Sequence, residues 1–132
     1  MRIEVVNTGT ELLLGRVVNT HAAFFGQELF KLGLRIQRQT TIPDGDEIRV
    51  VLEEAFPRCE VILITGGLGP TSDDITREVV AEMLGRELHL DQTILDTITG
   101  MFRLRGLKQN SANDRQAMVP AGAVVLDNPH GT

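Results

Sequence analysis

The chain has 132 residues, 42% of them hydrophobic, with a net charge of −5 and a pI near 5.1. That length and apolar share give one domain with a sizeable core, and the acidic balance excludes the basic surface that nucleic-acid binders carry. Tyr and Trp are absent, which removes the usual platforms for base stacking, and one cysteine, Cys59, allows no internal disulfide.

In chain order, Ile3 to Asn7 predicts a short first strand, and Thr8 to Gly15 a loop carrying one acid, Glu11, between glycines. Asn19 or Thr20 can cap a helix to about Leu32, with Phe24, Phe25, Leu29 and Leu32 on its apolar side and Gly33 ending it. Leu34 to Thr41 reads as a second strand, with Leu34, Ile36 and Ile42 facing inward, and Pro43, Asp44 and Gly45 make a turn. Asp46 opens a helix in which Ile48, Val51, Leu52, Ala55 and Phe56 recur at helical spacing until Pro57. Val61 to Ile64 predicts the central strand, buried on both faces. Ile75, Val79, Met83 and Leu84 form the stripe of a third helix closed by Gly85. Asp91 starts another through Ile94, Leu95, Ile98, Met101 and Phe102, ending near Gly106 and weakened by Gly100. Asn110 or Ser111 caps a shorter helix to about Met118, stopped by Pro120. Ala123 to Leu126 predicts a last strand, and Asn128 to Thr132 a turn.

Strands alternating with helices imply an α/β fold with a mostly parallel sheet, helices on both faces and right-handed crossovers. In such sheets ligands bind beyond the carboxyl ends of the strands. The turns starting at Thr8, Gly66 and Asn128 are therefore expected at one sheet edge. No apolar run approaches membrane-spanning length, and the sequence enters a strand without a signal peptide, so a cytoplasmic protein is expected.

The stretch Val61 to Thr76, VILITGGLGPTSDDIT, carries the chemistry. Strand, glycine turn and helix present backbone N–H groups to an anionic ligand, and glycines let the main chain come close. Asp73 and Asp74 would repel a bare phosphate, so the ligand brings a metal or offers hydroxyls or ring nitrogens. The same residues also read as an ordinary turn, with Thr71 or Ser72 as N-cap and the two acids offsetting the helix dipole. Ser72 holds the place of the third glycine of the dinucleotide fingerprint, and no Gly-Lys-Ser/Thr occurs, which excludes a Walker loop.

Three motifs together resemble the N-terminal domain of the competence/damage-inducible protein A (CinA) family, in the molybdopterin-binding superfamily. They are Thr8-Gly9-Thr10-Glu11-Leu12-Leu13, Thr65 to Thr71 with Asp73-Asp74-Ile75-Thr76, and Asn128-Pro129-His130-Gly131-Thr132. The resemblance implies a three-layer α/β/α sandwich over residues 1–132, one domain cut short at its C-terminal end. It implies a pterin or nucleotide ligand and self-association into a homo-oligomer, while the acidic balance and the short apolar runs speak against a nucleic-acid or membrane partner. For CinA-like proteins it implies a pyrophosphatase acting on ADP-ribose with a divalent ion, Mg, Mn or Co. The alternative is a non-catalytic module that binds molybdopterin or a nucleotide. By the same resemblance Asp74 and Glu11 are the catalytic acids and metal ligands. Ligand contacts fall to Thr8, Gly9, Thr10, Asn19, Gly66, Gly67, Leu68, Gly69, Pro70, Thr71, Asp73, Asn128, Pro129, Gly131 and Thr132. Asp73 stands where molybdopterin-binding relatives have the Arg of an Arg-Asp pair.

Other residues carry blander expectations. Cys59 is read as a buried structural thiol. His21 and His89 are surface or cap residues, and His130 is a solvated loop histidine without a zinc partner. Arg115 is an exposed helix charge within possible reach of a phosphate. Phe24, Phe25 and the methionines are core.

Overall fold

The structure is a computed structural model and describes residues 1–108 and 110–128. The chain divides into two compact units, Met1–Gly67 and Leu68–Thr132.

The first unit runs β1 (Ile3–Thr8), α1 (Thr10–Leu13), α2 (Thr20–Lys31), β2 (Ile36–Ile42), α3 (Glu47–Ala55) and β3 (Val61–Thr65). Its three strands pair in parallel in the order β2-β1-β3, with Asn7 beside Thr41 on one side and Thr65 on the other. Every residue of β1 is buried, including the polar Glu4, Asn7 and Thr8. The sequence points to β3 as the central strand; the structure gives that place to β1, and β3 is only half-buried. Neighbours on both sides satisfy both edges of β1, whereas the apolar run of β3 reflects its own composition and not its position in the sheet. Ile48, Leu52 and Ala55 of α3 are buried, and the helix lies against β1. Burying Leu52 contributes about 1.5–3 kcal/mol.

The charge of Glu4 inside β1 is matched by Arg58. Nε and Nη2 of Arg58 donate to the two carboxylate oxygens at 2.6 and 2.9 Å, a two-pronged pair. Those hydrogen bonds hold the Glu4 carboxyl below its ordinary pKa against the upward push of burial, with the field of Arg58 adding to them. Cys59 is half-buried; its thiol donates to the Ala55 carbonyl at 3.1 Å, and burial raises its pKa.

The second unit runs α4 (Thr76–Met83), β4 (Leu88–Leu90), α5 (Gln92–Leu104), α6 (Ser111–Asp114), a 3₁₀ turn (Arg115–Ala117) and β5 (Met118–Pro120). β4 and β5 pair antiparallel, His89 opposite Val119. Asp91 caps α5 as expected, accepting from Thr93 N at 2.9 Å and Ile94 N at 3.1 Å. Ile98 is fully buried on that helix.

Several expectations need correction. Residues 88–90 form a strand that helical spacing on either side obscures, since three residues show no period. The helix expected from Asn110 to Met118 ends at Asp114, and Met118–Pro120 is extended instead, paired with β4. Ala123 to Leu126 is not a strand: Val124 and Leu126 are more than four-fifths exposed and no neighbour pairs with them among the described residues. Its β-branched composition sets a propensity that only a pairing partner realises. The α2 stripe is not core either. No residue of α2 is buried, and Phe24 is 56% and Leu32 72% exposed. The Phe24 and Phe25 rings meet at 5.9 Å between centroids. Met1 is exposed, and Met83, Met101 and Met118 are half-buried. No helix among the described residues is long and apolar enough to cross a membrane.

Candidate functional site

The site begins where two parallel strands stop side by side. Register sets Asn7 beside Thr65, so β3 ends at Thr65 and β1 one residue further on, at Thr8. The next residue of each chain segment is a glycine. Gly66 has a φ of 90°, and a Cβ there would collide with the carbonyl and hydroxyl of Thr8, so both conformation and space require glycine. Gly9 passes under the Glu11 side chain: a Cβ on it would stand 2.6 Å from Glu11 Oε1. Its N–H donates to Ile42 O at 3.0 Å, tying the first turn to the end of β2.

Glu11 is not in a loop. Thr10–Leu13 forms one helical turn with Glu11 in it, and the turn is held from outside by Asp44. Asp44 Oδ2 accepts from Thr10 N at 3.0 Å and from Thr10 Oγ1 at 3.3 Å. Asn19 caps α2, its side-chain oxygen accepting from Ala22 N at 3.0 Å. Together these elements enclose a cavity of about 250 Å³ lined by Thr8, Glu11, Leu12, Val17, Val18, Asn19, Thr20, His21, Thr65 and Gly66. Thr8 is 7% exposed and its hydroxyl has no hydrogen-bond partner among the described residues. A buried hydroxyl left unpaired costs about 1–3 kcal/mol.

The second unit holds the aspartates. Asp74 closes its own loop: Oδ2 accepts from Thr71 N at 3.0 Å and lies against the Thr71 hydroxyl, which is 2.7 Å from Asp73 Oδ1. Partial burial raises the Asp74 pKa, but the bonds from Thr71 and from the Gly69 backbone, with the field of Arg115, bring it below its ordinary value. A Cβ on Gly69 would stand 2.5 Å from Asp74 Oδ2, so that glycine makes room for the acid. Arg115 clamps the loop, donating to Thr71 O at 3.1 Å, Asp74 O at 3.4 Å and Glu78 Oε1 at 2.9 Å. It is a half-buried loop clamp rather than the exposed helix charge expected. α4 starts at Thr76 with Ile75 as its N-cap. Thr71 and Ser72 are therefore not the cap, and Asp73 and Asp74 precede the helix without belonging to its first turn.

The structure thus brings Thr8, Glu11, Asn19 and Gly66 to one cavity, with Gly9 and Thr10 in the turn beneath Glu11. Leu68, Gly69, Pro70, Thr71, Asp73 and Asp74 fall in the other unit, and Gly67, buried with φ 66°, ends the first. Glu11 and Asp74, expected to share one cation, belong to different units. Asn128 is exposed. Pro129, His130, Gly131 and Thr132 lie outside the described residues, and with Ala123–Leu126 unpaired the expected third strand-end turn is not formed as a strand end. Sequence reasoning missed Thr65, His21 and Asp44. Asp44 was findable: it follows β2, and a turn after a parallel strand belongs to the ligand edge as much as those after β1 and β3.

Residues 4–128 match the family described as a probable molybdopterin binding domain, and the chain belongs to that family. It is 45% identical over 132 residues to a CinA-like protein of Akkermansia muciniphila, covering 100% of this chain and 32% of that protein. The chain therefore spans about a third of that relative's length. Among solved structures it is similar to CinA of Thermoplasma acidophilum, a protein described as of unknown function. There the TM-score is 0.81 and the identity 33%, over 100% of this chain and 78% of that one. The molybdopterin biosynthesis enzyme MoaB of Thermus thermophilus matches at a TM-score of 0.56 and 25% identity, over 84% of this chain and 68% of its own. The α/β class with a parallel sheet and the CinA relationship read from the motifs both hold.

Proposed function

We propose that the cavity of the first unit binds a nucleotide or pterin, and that the domain serves a CinA-like pyrophosphatase splitting ADP-ribose. The observation that carries the reading is a cavity at the carboxyl ends of β1 and β3 that holds a carboxylate, Glu11, beside the glycine turn at Gly66. The cavity is smaller than the roughly 300–1,000 Å³ of sites for drug-sized ligands, so it takes one part of a nucleotide, a sugar or a ring.

A divalent cation is part of this proposal, and the donors suit a hard one. Among the described residues no three His, Cys, Asp or Glu gather to form a cage. Mg²⁺ and Mn²⁺ do not need one, since they take one or two carboxylates and keep waters or substrate phosphates. Glu11 is the acid that would hold the ion. Bound there, the ion supplies charge neutralisation on the phosphoryl oxygens and a more acidic water. Thr8 forms part of the wall, Gly66 permits close approach of the main chain, and Asn19 holds the start of α2 at the rim. Asp74 acts through the shape of its loop.

The test is AMP release from ADP-ribose with Mg²⁺, Mn²⁺ or Co²⁺, alongside calorimetric binding of ADP-ribose and of a pterin. Wild type is expected to release AMP only with metal, and Glu11→Gln to lose about a hundredfold in turnover while staying folded. Binding without AMP release under any metal would establish the non-catalytic carrier. Undiminished turnover in Glu11→Gln would remove Glu11 from the metal site.

A further inference from the structure

Asn7 is fully buried in the middle strand, one residue before the cavity wall. A buried amide must place both its ends. Asn7 Nδ2 donates to the Thr40 carbonyl in β2 at 3.4 Å, and Asn7 Oδ1 accepts from the Thr65 hydroxyl in β3 at 3.0 Å. The orientation is forced: a backbone carbonyl only accepts, so the NH₂ end faces Thr40 and the oxygen faces Thr65. The Thr65 hydroxyl has one proton, and it is spent on Asn7. Thr65 also lines the cavity. What remains for a ligand there is lone pairs alone.

We propose that Asn7 sets the hydrogen-bonding polarity of the cavity, making Thr65 an acceptor only. The cavity therefore selects a ligand that offers an N–H or O–H donor at this point, an exocyclic amine or a sugar hydroxyl. The proposal rests on the nucleotide reading of the cavity and specifies what that site discriminates. Asn7 is a positioning residue: it acts through Thr65 and not on the ligand. The discrimination follows from the cost of leaving a buried acceptor unpaired when the donor is missing, as sites built around a hydrogen bond reject analogues lacking it.

The experiment is calorimetry with AMP, purine riboside 5′-monophosphate, 2′-deoxy-AMP and 3′-deoxy-AMP, in which one donor at a time is removed. Wild type is expected to bind one of the three analogues at least tenfold more weakly than AMP. In Asn7→Leu the Thr65 proton is released and the hydroxyl can turn to donate, so that gap is expected to close to threefold or less. A loss of packing alone would weaken all four ligands together and keep the ratio. If Asn7→Leu does not fold, Thr65→Val and Thr65→Ser carry the test: valine closes the gap and serine keeps it. A gap that persists in Asn7→Leu or Thr65→Val overturns the proposal, as does AMP binding to wild type with no analogue rejected. If AMP does not bind wild type at all, the nucleotide reading itself falls and takes this inference with it.

Discussion

Two glycines of the same motif are required for different reasons. At Gly66 the backbone is left-handed and the space above Cα is filled by Thr8 of the neighbouring strand. Gly66→Ala is expected to cost about 1–3 kcal/mol in urea unfolding, since neither the conformation nor the main-chain contact can relax cheaply. Gly69 does not have a positive φ, and the nearest atoms its Cβ would meet are those of the Asp74 carboxylate. Gly69→Val should displace Asp74, spare the sheet and weaken ligand binding if the loop's shape matters to the site; calorimetry on the folded variant showing wild-type affinity would dismiss that role. Asp74→Asn keeps the volume and an acceptor oxygen for Thr71. A loss of about 1 kcal/mol in stability is expected, as for one hydrogen bond weakened from charged to neutral. Loss of metal-dependent AMP release in a variant that melts like wild type would show that the charge of Asp74 has a use beyond its loop.

At the scale of elements, some caps were legible and others were not: Asp46, expected to cap α3, stands at its start without a side-chain bond to it, and Thr71 and Ser72 do not cap α4. Asn19 and Asp91 open α2 and α5 as their side-chain chemistry dictates, and Gly33 follows α2 in the left-handed conformation. Asn19→Ala is expected to cost about 1 kcal/mol of stability, read as a lowered urea midpoint with unchanged slope. Local chemistry decides a cap, and local chemistry is what a sequence displays. Burial is decided elsewhere. The apolar stripe of α2 predicts a core face, yet Phe24, Phe30 and Leu32 stand exposed because no element of the described chain covers them. The β4–β5 ladder escaped notice because each strand is three residues long and takes its identity from the other. In the site, glycines and Glu11 were visible as a motif. Thr65 was seen as the end of a strand and not as a wall, and Asp44 as a turn and not as the support of Thr10. Both roles depend on which strands are neighbours, which the order β2-β1-β3 determines and the linear chain does not show.

For the whole molecule, pH and salt give separable tests. Glu4, Asp74 and Glu60, the last bonded by the main-chain N–H and the guanidinium of Arg2, all have pKa values below their ordinary ones in the folded chain. Groups lowered by folding contribute stability above the ordinary carboxylate pKa, about 4, and lose it as pH falls through their folded values. The melting temperature is therefore expected to be level from neutral pH to about 5 and to fall steeply below 4. Glu4→Gln should flatten part of that fall and lower stability at pH 7 by roughly 1.5–3 kcal/mol, because it weakens a charged, two-pronged bond to Arg58. A melting temperature independent of pH down to 3 would contradict the arrangement. With a net charge of −5, affinity for duplex or single-stranded DNA is expected to be negligible at physiological salt, checked by fluorescence anisotropy across a salt series.

The placing of β1 between β2 and β3 has a consequence for how the chain is made. Ile3–Thr8 pairs with residues 36–42 and 61–65, all of which are synthesised after it. At about 5–20 residues per second, a ribosome delivers the last of those partners several seconds after the first strand has been translated. Through that interval a strand destined for burial waits with two unpaired edges, and closing the β1–β3 ladder then spans most of the unit in sequence. Pairings of such separation are slow to form, and the waiting segment is the part of the nascent chain most open to association with other unfinished chains and to capture by chaperones.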